Sequence, residues 1–342
     1  MLRKILIFLV LAMILVVVWK QLTSLTKVTP STVGKNGILH LVQTIPLGSV
    51  EGRIDHLSID IKGQRLFVAA LGDNSVEVVD LEESKVIHSI TNLSEPQSAL
   101  FIPNLNKLFV TNGSTGICQI FDGTSFDEIS RVELSGDADN IRYDSNSNSV
   151  VVGSGDGGLS FINAETGKEE ISIKLSGHPE SFQLESSGSK IFVNVPSANQ
   201  IAVVDRGQQK VTATWFMTKA LANFPMALDE VNHRLFVGFR APTKLVVFDG
   251  ETGKSLASFE TVGDVDDIFY DNAHKLIFVI GGEGYIDIFS QQDADHYQYS
   301  TRIATKKGAR TGLWVQEQNR LYVAVPRAEN QEAEIQVYEL QP

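Results

Sequence analysis

Of 342 residues only one, Cys118, is cysteine, so the chain cannot close an internal disulfide. It sits in an alternating segment, Ile117-Cys-Gln-Ile-Phe121, where a small buried hydrophobe is the expected role. Helical periodicity is missing after residue 37: no stretch repeats apolar residues at three- and four-residue steps. Also missing are a G-x-S-x-G elbow, a zinc cysteine set, a metal-binding histidine pair and a dinucleotide fingerprint. Glu165-Thr-Gly-Lys168 and Glu251-Thr-Gly-Lys254 read as turns, because no helix follows to make a phosphate loop. Cations are scarce too. The net charge is −12, and the first 37 residues carry five cations and no acid, leaving 24 cations against 41 acids beyond them. A surface near −17 repels phosphate backbones, which argues against nucleic-acid binding.

What is present is repetition. Leu57 to Ile90 contains four short β-rich segments with a turn after each of the first three. The unit recurs seven times, most visibly at its second segment: Arg65-Leu-Phe-Val, Lys107-Leu-Phe-Val, Ser149-Val-Val-Val, Lys190-Ile-Phe-Val, Arg234-Leu-Phe-Val, Lys275-Leu-Ile-Phe and Arg320-Leu-Tyr-Val. The steps are 42, 42, 41, 44, 41 and 45 residues. A period near 40 with four strands per unit predicts an all-β fold, a seven-bladed β-propeller. The seventh unit stops after its third strand, and 38–46 (Ile38-Leu-His-Leu-Val-Gln-Thr-Ile45 and Pro46) resembles a fourth. Pairing the two closes the ring and removes exposed sheet edges. With 43% hydrophobic residues, 38–342 is expected to form one domain.

Residues 1–22 start with Leu2-Arg3-Lys4 and run uncharged from Ile5 to Trp19. Fifteen helical residues span roughly 22 Å, short of a hydrocarbon core of about 30 Å, and snorkelling of Lys4 and Lys20 makes up part of the gap. No convincing A-x-A site follows, so an uncleaved signal anchor is favoured over a cleaved signal peptide. Residues 23–37 read as a polar linker. The expected location is the periplasm or cell exterior, tethered to the cytoplasmic membrane by one transmembrane helix; the alternative is secretion after cleavage.

Gly177-His-Pro-Glu-Ser-Phe-Gln-Leu-Glu-Ser-Ser-Gly-Ser-Lys-Ile-Phe-Val-Asn194 and Asn74-Ser-Val-Glu-Val-Val-Asp-Leu-Glu-Glu-Ser-Lys-Val86 resemble the YVTN repeat of YncE-like seven-bladed propellers, part of the WD40-like superfamily. The resemblance covers about residues 38–339. It implies the fold and a scaffold shared by exported binding proteins, surface-layer modules, DNA-associated members and several enzymes.

Antiparallel connectivity brings the loop leading into each first strand to one end of the ring. Aligning these leading loops gives a column of Asp55, Ser98, Asp139, Glu180, Phe224, Asp266 and Thr311. One reading has each acid bonding the backbone of its own or the next loop. Another is a divalent cation such as Ca2+ held by Asp137, Asp139, Asp264 and Asp266. Arg53, His56, His178, Arg240, Arg310 and Arg327 fall at the same end, where they either bind a ligand or tie neighbouring loops together. Arg53, Asp55, His56, Asp139, His178, Glu180, Phe224, Arg240, Asp266, Arg310 and Arg327 are therefore the candidate ligand-binding set. The expected function is recognition of a small polar ligand or a protein partner at the channel mouth. A metal-assisted, lactonase-like hydrolase or a lyase is the alternative. No catalytic residue is singled out.

Overall fold

A computed structural model describes residues 38–341. The expected anchor at 1–22 and linker at 23–37 lie outside them. Among the described residues, no helix is long and apolar enough to cross a membrane.

Seven four-stranded antiparallel sheets follow one another along the chain. In the last, the strand order runs from Leu39–Pro46 to Glu334–Leu340, then Arg320–Val325 and Gly312–Val315. Leu39 faces Leu340 and Ile45 faces Ile335 across the closing pair, so both ends of the described chain build blade seven.

Blade packing explains why the second strands read as unbroken apolar runs rather than alternating ones. In blade one, Leu66 and Val68 face Tyr322, Ala324 and Val337 of blade seven, whereas Phe67 faces Leu108 and Val110 of blade two. A strand buried on both faces has no polar side to show. Seven apolar clusters result, one at each blade–blade interface. The fourth strands lie outermost, and Lys85–Ile90 buries only Ile90. Cys118 is fully buried and burial pushes its thiol up to about 12, which makes it an inert core residue.

The sixth blade corrects the repeat alignment. Its second strand is Leu276–Gly281, and Asp271 faces Leu276 as Asp60 faces Arg65. Lys275 instead occupies the left-handed turn position (φ 59°) taken by Gln64, Asn106, Asn148 and His233 in other blades. The basic residue that starts this strand in five of the other six blades has moved one place earlier.

Turn chemistry is locally satisfied. Asp122 accepts amides of Thr124 (2.8 Å) and Ser125 (2.9 Å), and Asp249 those of Glu251 (3.1 Å) and Thr252 (2.8 Å). Buried acids also end several first strands: Asp60, Asp144, Asp229 and Asp271. At the other end of the ring the loops of blades two and three touch. Gly116 has φ +69°, and a Cβ there would lie 2.3 Å from the Gly136 Cα. Gly116→Ala is expected to lower stability by about 2–3 kcal/mol, combining left-handed strain with a backbone clash. Chemical denaturation checks this; a loss under about 0.5 kcal/mol, the ordinary surface range, would show the two loops can separate freely.

Candidate functional site at the channel mouth

Backbone hydrogen bonds fix how the seven leading loops superimpose. Asp55, Asp139 and Glu180 each donate an amide to a second-strand carbonyl (Ala69, Gly153 and Asn194), and the following residue accepts the return bond. In blade seven that return bond runs from Ala324 to Thr311, so Arg310, not Thr311, is the counterpart of Asp55. In blade two Ala99 pairs with Val110 as Leu57 pairs with Val68, which puts Gln97 in the column and Ser98 behind it. The outer ring of the mouth is Asp55, Gln97, Asp139, Glu180, Phe224, Asp266 and Arg310. The inner ring is His56, Ser98, Asn140, Ser181, Pro225, Asp267 and Thr311.

Below them lies the central channel, a cavity of about 390 Å³ lined by leading-loop and first-strand residues including His56, Ser98, Arg142, Gln183, Asp267 and Trp314. Arg142 is the one charged residue at its strand position. Ser58, Leu100, Gln183, Ala227, Phe269 and Leu313 occupy the equivalent place, each paired with the aromatic or valine at the centre of the second strand. Its guanidinium donates to the Ile141 carbonyl (2.8 Å) and lies 5.6 Å from the Phe182 ring centroid. Burial lowers its pKa, opposed by the charges of Asp267 and Asp139. It remains a cation without a carboxylate in salt-bridge contact among the described residues.

The charges of the mouth fall into two groups. On the side of blades five to seven the acids are neutralised. Arg240 pairs with Asp266, donates to the Val265 carbonyl (2.9 Å) and stacks its guanidinium 3.9 Å from the Phe224 ring centroid. Arg310 reaches Asp264 (3.1 Å) and Asp266 (3.0 Å). Burial pushes the Asp266 carboxyl up to about 7, with Arg240 and Arg310 pulling down and Asp55 and Asp267 adding to the rise. These arginines tie three loops together. Arg327 does similar work next door, donating to the carbonyls of Gly48 (2.7 Å) and Val50 (3.3 Å), so the structure gives its guanidinium to backbone.

Blade one contributes a compact charge sandwich. His56 lies 3.7 Å from Asp55 through Nε2 and 3.7 Å from Asp267 through Nδ1. Burial alone would lower its pKa, but Asp267 and Asp55 outweigh it and push it up to about 10. Arg53 pairs with Asp55 as well, and the Gly312 amide donates to Asp267 (2.8 Å).

Blades three and four differ. The Asp139 side chain is 9% exposed, and no described donor comes within hydrogen-bond distance of its carboxylate. Glu180 likewise has no ion-pair or hydrogen-bond partner among the described residues; burial and Asp139 push its carboxyl up to about 8. His178 stands between them, with Nε2 3.7 Å from Asp139 and Nδ1 2.9 Å from the Gly155 carbonyl. Burial lowers the His178 pKa, while Asp139 and the Gly155 carbonyl raise it further, to about 9. Asp137 sits beside His178 (3.7 Å) and accepts from Gln97 Nε2 (2.7 Å). Behind this ring Ser98 Oγ and Asn140 Oδ1 are buried without a hydrogen-bond partner among the described residues.

The structure therefore does not assemble Asp137, Asp139, Asp264 and Asp266 around one point: Asp264 and Asp266 belong to the arginines. Asp139, His178 and Glu180 instead each offer a ligand atom within 4.8 Å of the others. Sequence reasoning missed Gln97, Asn140, Arg142 and Asp267. Arg142 was detectable as the lone charge in a seven-fold column; the others required the register.

No family model matches the chain, and no curated protein does. Solved structures do match in fold. A chain of the Kuenenia stuttgartiensis hydrazine synthase superimposes with a TM-score of 0.73 at 15% identity, covering 85% of this chain and 96% of that one. A chain from a crystal structure of the mitotic checkpoint complex gives a TM-score of 0.74 at 13% identity, covering 92% and 96%. At these identities the likeness is one of architecture: the chain is a seven-bladed β-propeller of four-stranded blades.

Proposed function

We propose that this protein is an extracytoplasmic, membrane-tethered propeller of the YncE-like type. It binds a small polar ligand, charged in part, at the mouth of its channel. One observation carries the reading. Of the acids in the outer ring, Asp55 and Asp266 have arginine partners, whereas Asp139 faces only the His178 imidazole, at 3.7 Å, and Glu180 has no ion-pair or hydrogen-bond partner among the described residues. A buried or half-buried carboxylate that accepts no hydrogen bond is costly, and a bound cationic or donor group would relieve that cost. Arg142 beneath them supplies a positive counterpart for an anionic end, so a zwitterion suits the combined site. The basic, apolar start of the chain supports export and tethering. The channel would seat one small molecule, or one side chain of a protein partner.

A thermal-shift screen of zwitterionic metabolites and dipeptides, followed by calorimetry, tests this reading. Ligands found should lose at least about tenfold in affinity, roughly 1.4 kcal/mol, in Asp139→Asn/Glu180→Gln and in Arg142→Met. Hits indifferent to all three substitutions would place binding elsewhere. Turnover of a hit that disappears with the same substitutions would replace binding by catalysis, the lactonase-like or lyase alternative.

A further inference from the structure

We propose that Asp139, His178 and Glu180 hold a divalent first-row metal ion of the Zn2+ type at the channel mouth. The inference deepens the mouth-binding reading and rests on it, naming the cation that Asp139 and Glu180 receive.

Three features point to a metal rather than to loose loop acids. The first is the imidazole. His178 Nδ1 is 2.9 Å from the Gly155 carbonyl oxygen, so it carries the proton and donates it there. Nε2, which faces Asp139, is then the nitrogen an ion would take, displacing the proton it carries in the metal-free protein. A metal-bound histidine is oriented in this way, its second nitrogen anchored on a carbonyl.

The second is the spacing. Nε2 stands 3.7 Å from Asp139 Oδ2, too far for a hydrogen bond. Two atoms each about 2.1 Å from a tetrahedral ion lie about 3.4 Å apart, so a small inward shift brings both to bonding distance. The ligand atoms of all three residues fall within 4.8 Å of one another.

The third is Asp139 itself. Its backbone is pinned on both sides, with the amide on the Gly153 carbonyl (2.9 Å) and the carbonyl accepting the Thr111 hydroxyl (2.7 Å). Its carboxylate, 9% exposed, accepts no hydrogen bond among the described residues and faces His178 Nε2 at 3.7 Å. A rigid backbone presenting a buried carboxylate without a hydrogen bond, beside an imidazole, is suited to ligating an ion.

Two carboxylate oxygens and one imidazole nitrogen suit Zn2+ or a neighbour in the series better than an all-oxygen ion such as Ca2+. Three protein ligands leave at least one position open toward the mouth, where an anionic or oxygen donor of a small ligand can bind. The other His–acid group, Glu185, His233 and Glu251, is a poorer candidate. Lys190 Nζ already lies 2.7 Å from Glu251 Oε1, and the Lys190 amide donates to Glu185 (3.1 Å).

The test is calorimetry with ZnCl2 on EDTA-treated full-length protein, with Co2+ absorption as a second readout. The expected result is one equivalent bound at micromolar affinity or better. His178→Ala and Glu180→Gln should each weaken it at least tenfold and bleach the Co2+ spectrum, and Glu251→Gln should leave it unchanged. Glu180 lies at the rim, so Glu180→Gln decides the matter if His178→Ala does not fold. Absence of binding, binding that survives Glu180→Gln, or binding lost in Glu251→Gln would overturn the inference. Repeating the zwitterion titrations on metal-free protein separates the two readings. Ligands that still bind, and still depend on Asp139, retire the ion and keep the mouth. Ligands indifferent to both the ion and Asp139 retire both.

Discussion

His56→Leu is expected to lower unfolding free energy near pH 7 by about 3–5 kcal/mol, the cost of leaving buried charge without its partner. The imidazole lies 3.7 Å from each of two carboxylates, Asp55 (2% exposed) and Asp267 (8% exposed), one from its own blade and one from blade six. Arg53 and the Gly312 amide remain to compensate part of the charge, which argues for the lower end of that range. The pH dependence gives the prediction its sharper form. The folded-state pKa of His56 is raised from 6.5 to about 10. A raised value means the folded state holds the proton more tightly, so the stabilisation is complete below about pH 6.5 and is lost as pH rises through 10. The stability gap between wild type and His56→Leu should be widest below about pH 6.5 and should close toward pH 10. Urea titrations at half-unit steps measure it. A gap that stays constant across the window would mean that the ring is held by packing at this position and not by charge.

Arg302→Met should cost a similar amount, about 3–5 kcal/mol, through a different part of the fold. Asp287 is fully buried in the third strand of blade six, directly opposite Arg302 on the fourth. Arg302 clasps both of its oxygens, at 2.7 and 2.8 Å, and Thr261 adds a third bond at 3.0 Å. Removing the arginine strands a charge in a packed interface. Removing both charges does not, so Asp287→Leu/Arg302→Met should return to within about 1–2 kcal/mol of wild type, since well-packed apolar pairs often equal buried ion pairs. Thermal and denaturant unfolding of the four proteins completes the cycle. A double variant as unstable as Arg302→Met alone would show that the loss came from the arginine's own packing, including its contact with the Tyr285 ring (5.1 Å).

The architecture was legible because it rests on local, repeated signals. Arg65-Leu-Phe-Val and its copies are apolar on consecutive residues because blades press on both faces, and that demand recurs in every unit. The closing strand at Leu39–Pro46 was legible for the same reason: a propeller lacking one strand at its end needs one from its beginning. Where a local signal slipped, the reading slipped with it. Lys275 was matched to Arg65 on its charge, yet it occupies the left-handed turn, and Leu276 starts the strand.

The mouth was legible only in outline. The sequence indicated which loops converge and that they are rich in Asp, Arg and His. It could not say that Gln97 and Arg310 complete the outer ring, because one-residue differences in loop length are invisible until backbone hydrogen bonds set the register. Nor could it separate the acids by fate. Asp139 and Asp266 occur in matching G-D-x-D segments, yet Arg240 and Arg310 close on Asp266 while Asp139 faces His178. Those partners lie tens of residues away on neighbouring blades. Sequence by itself determined a seven-fold ring of four-stranded blades, since that follows from periodicity and strand chemistry within each unit. Tertiary structure alone decided which carboxylates are neutralised and which stand open, because that depends on contacts between units that share no local signal.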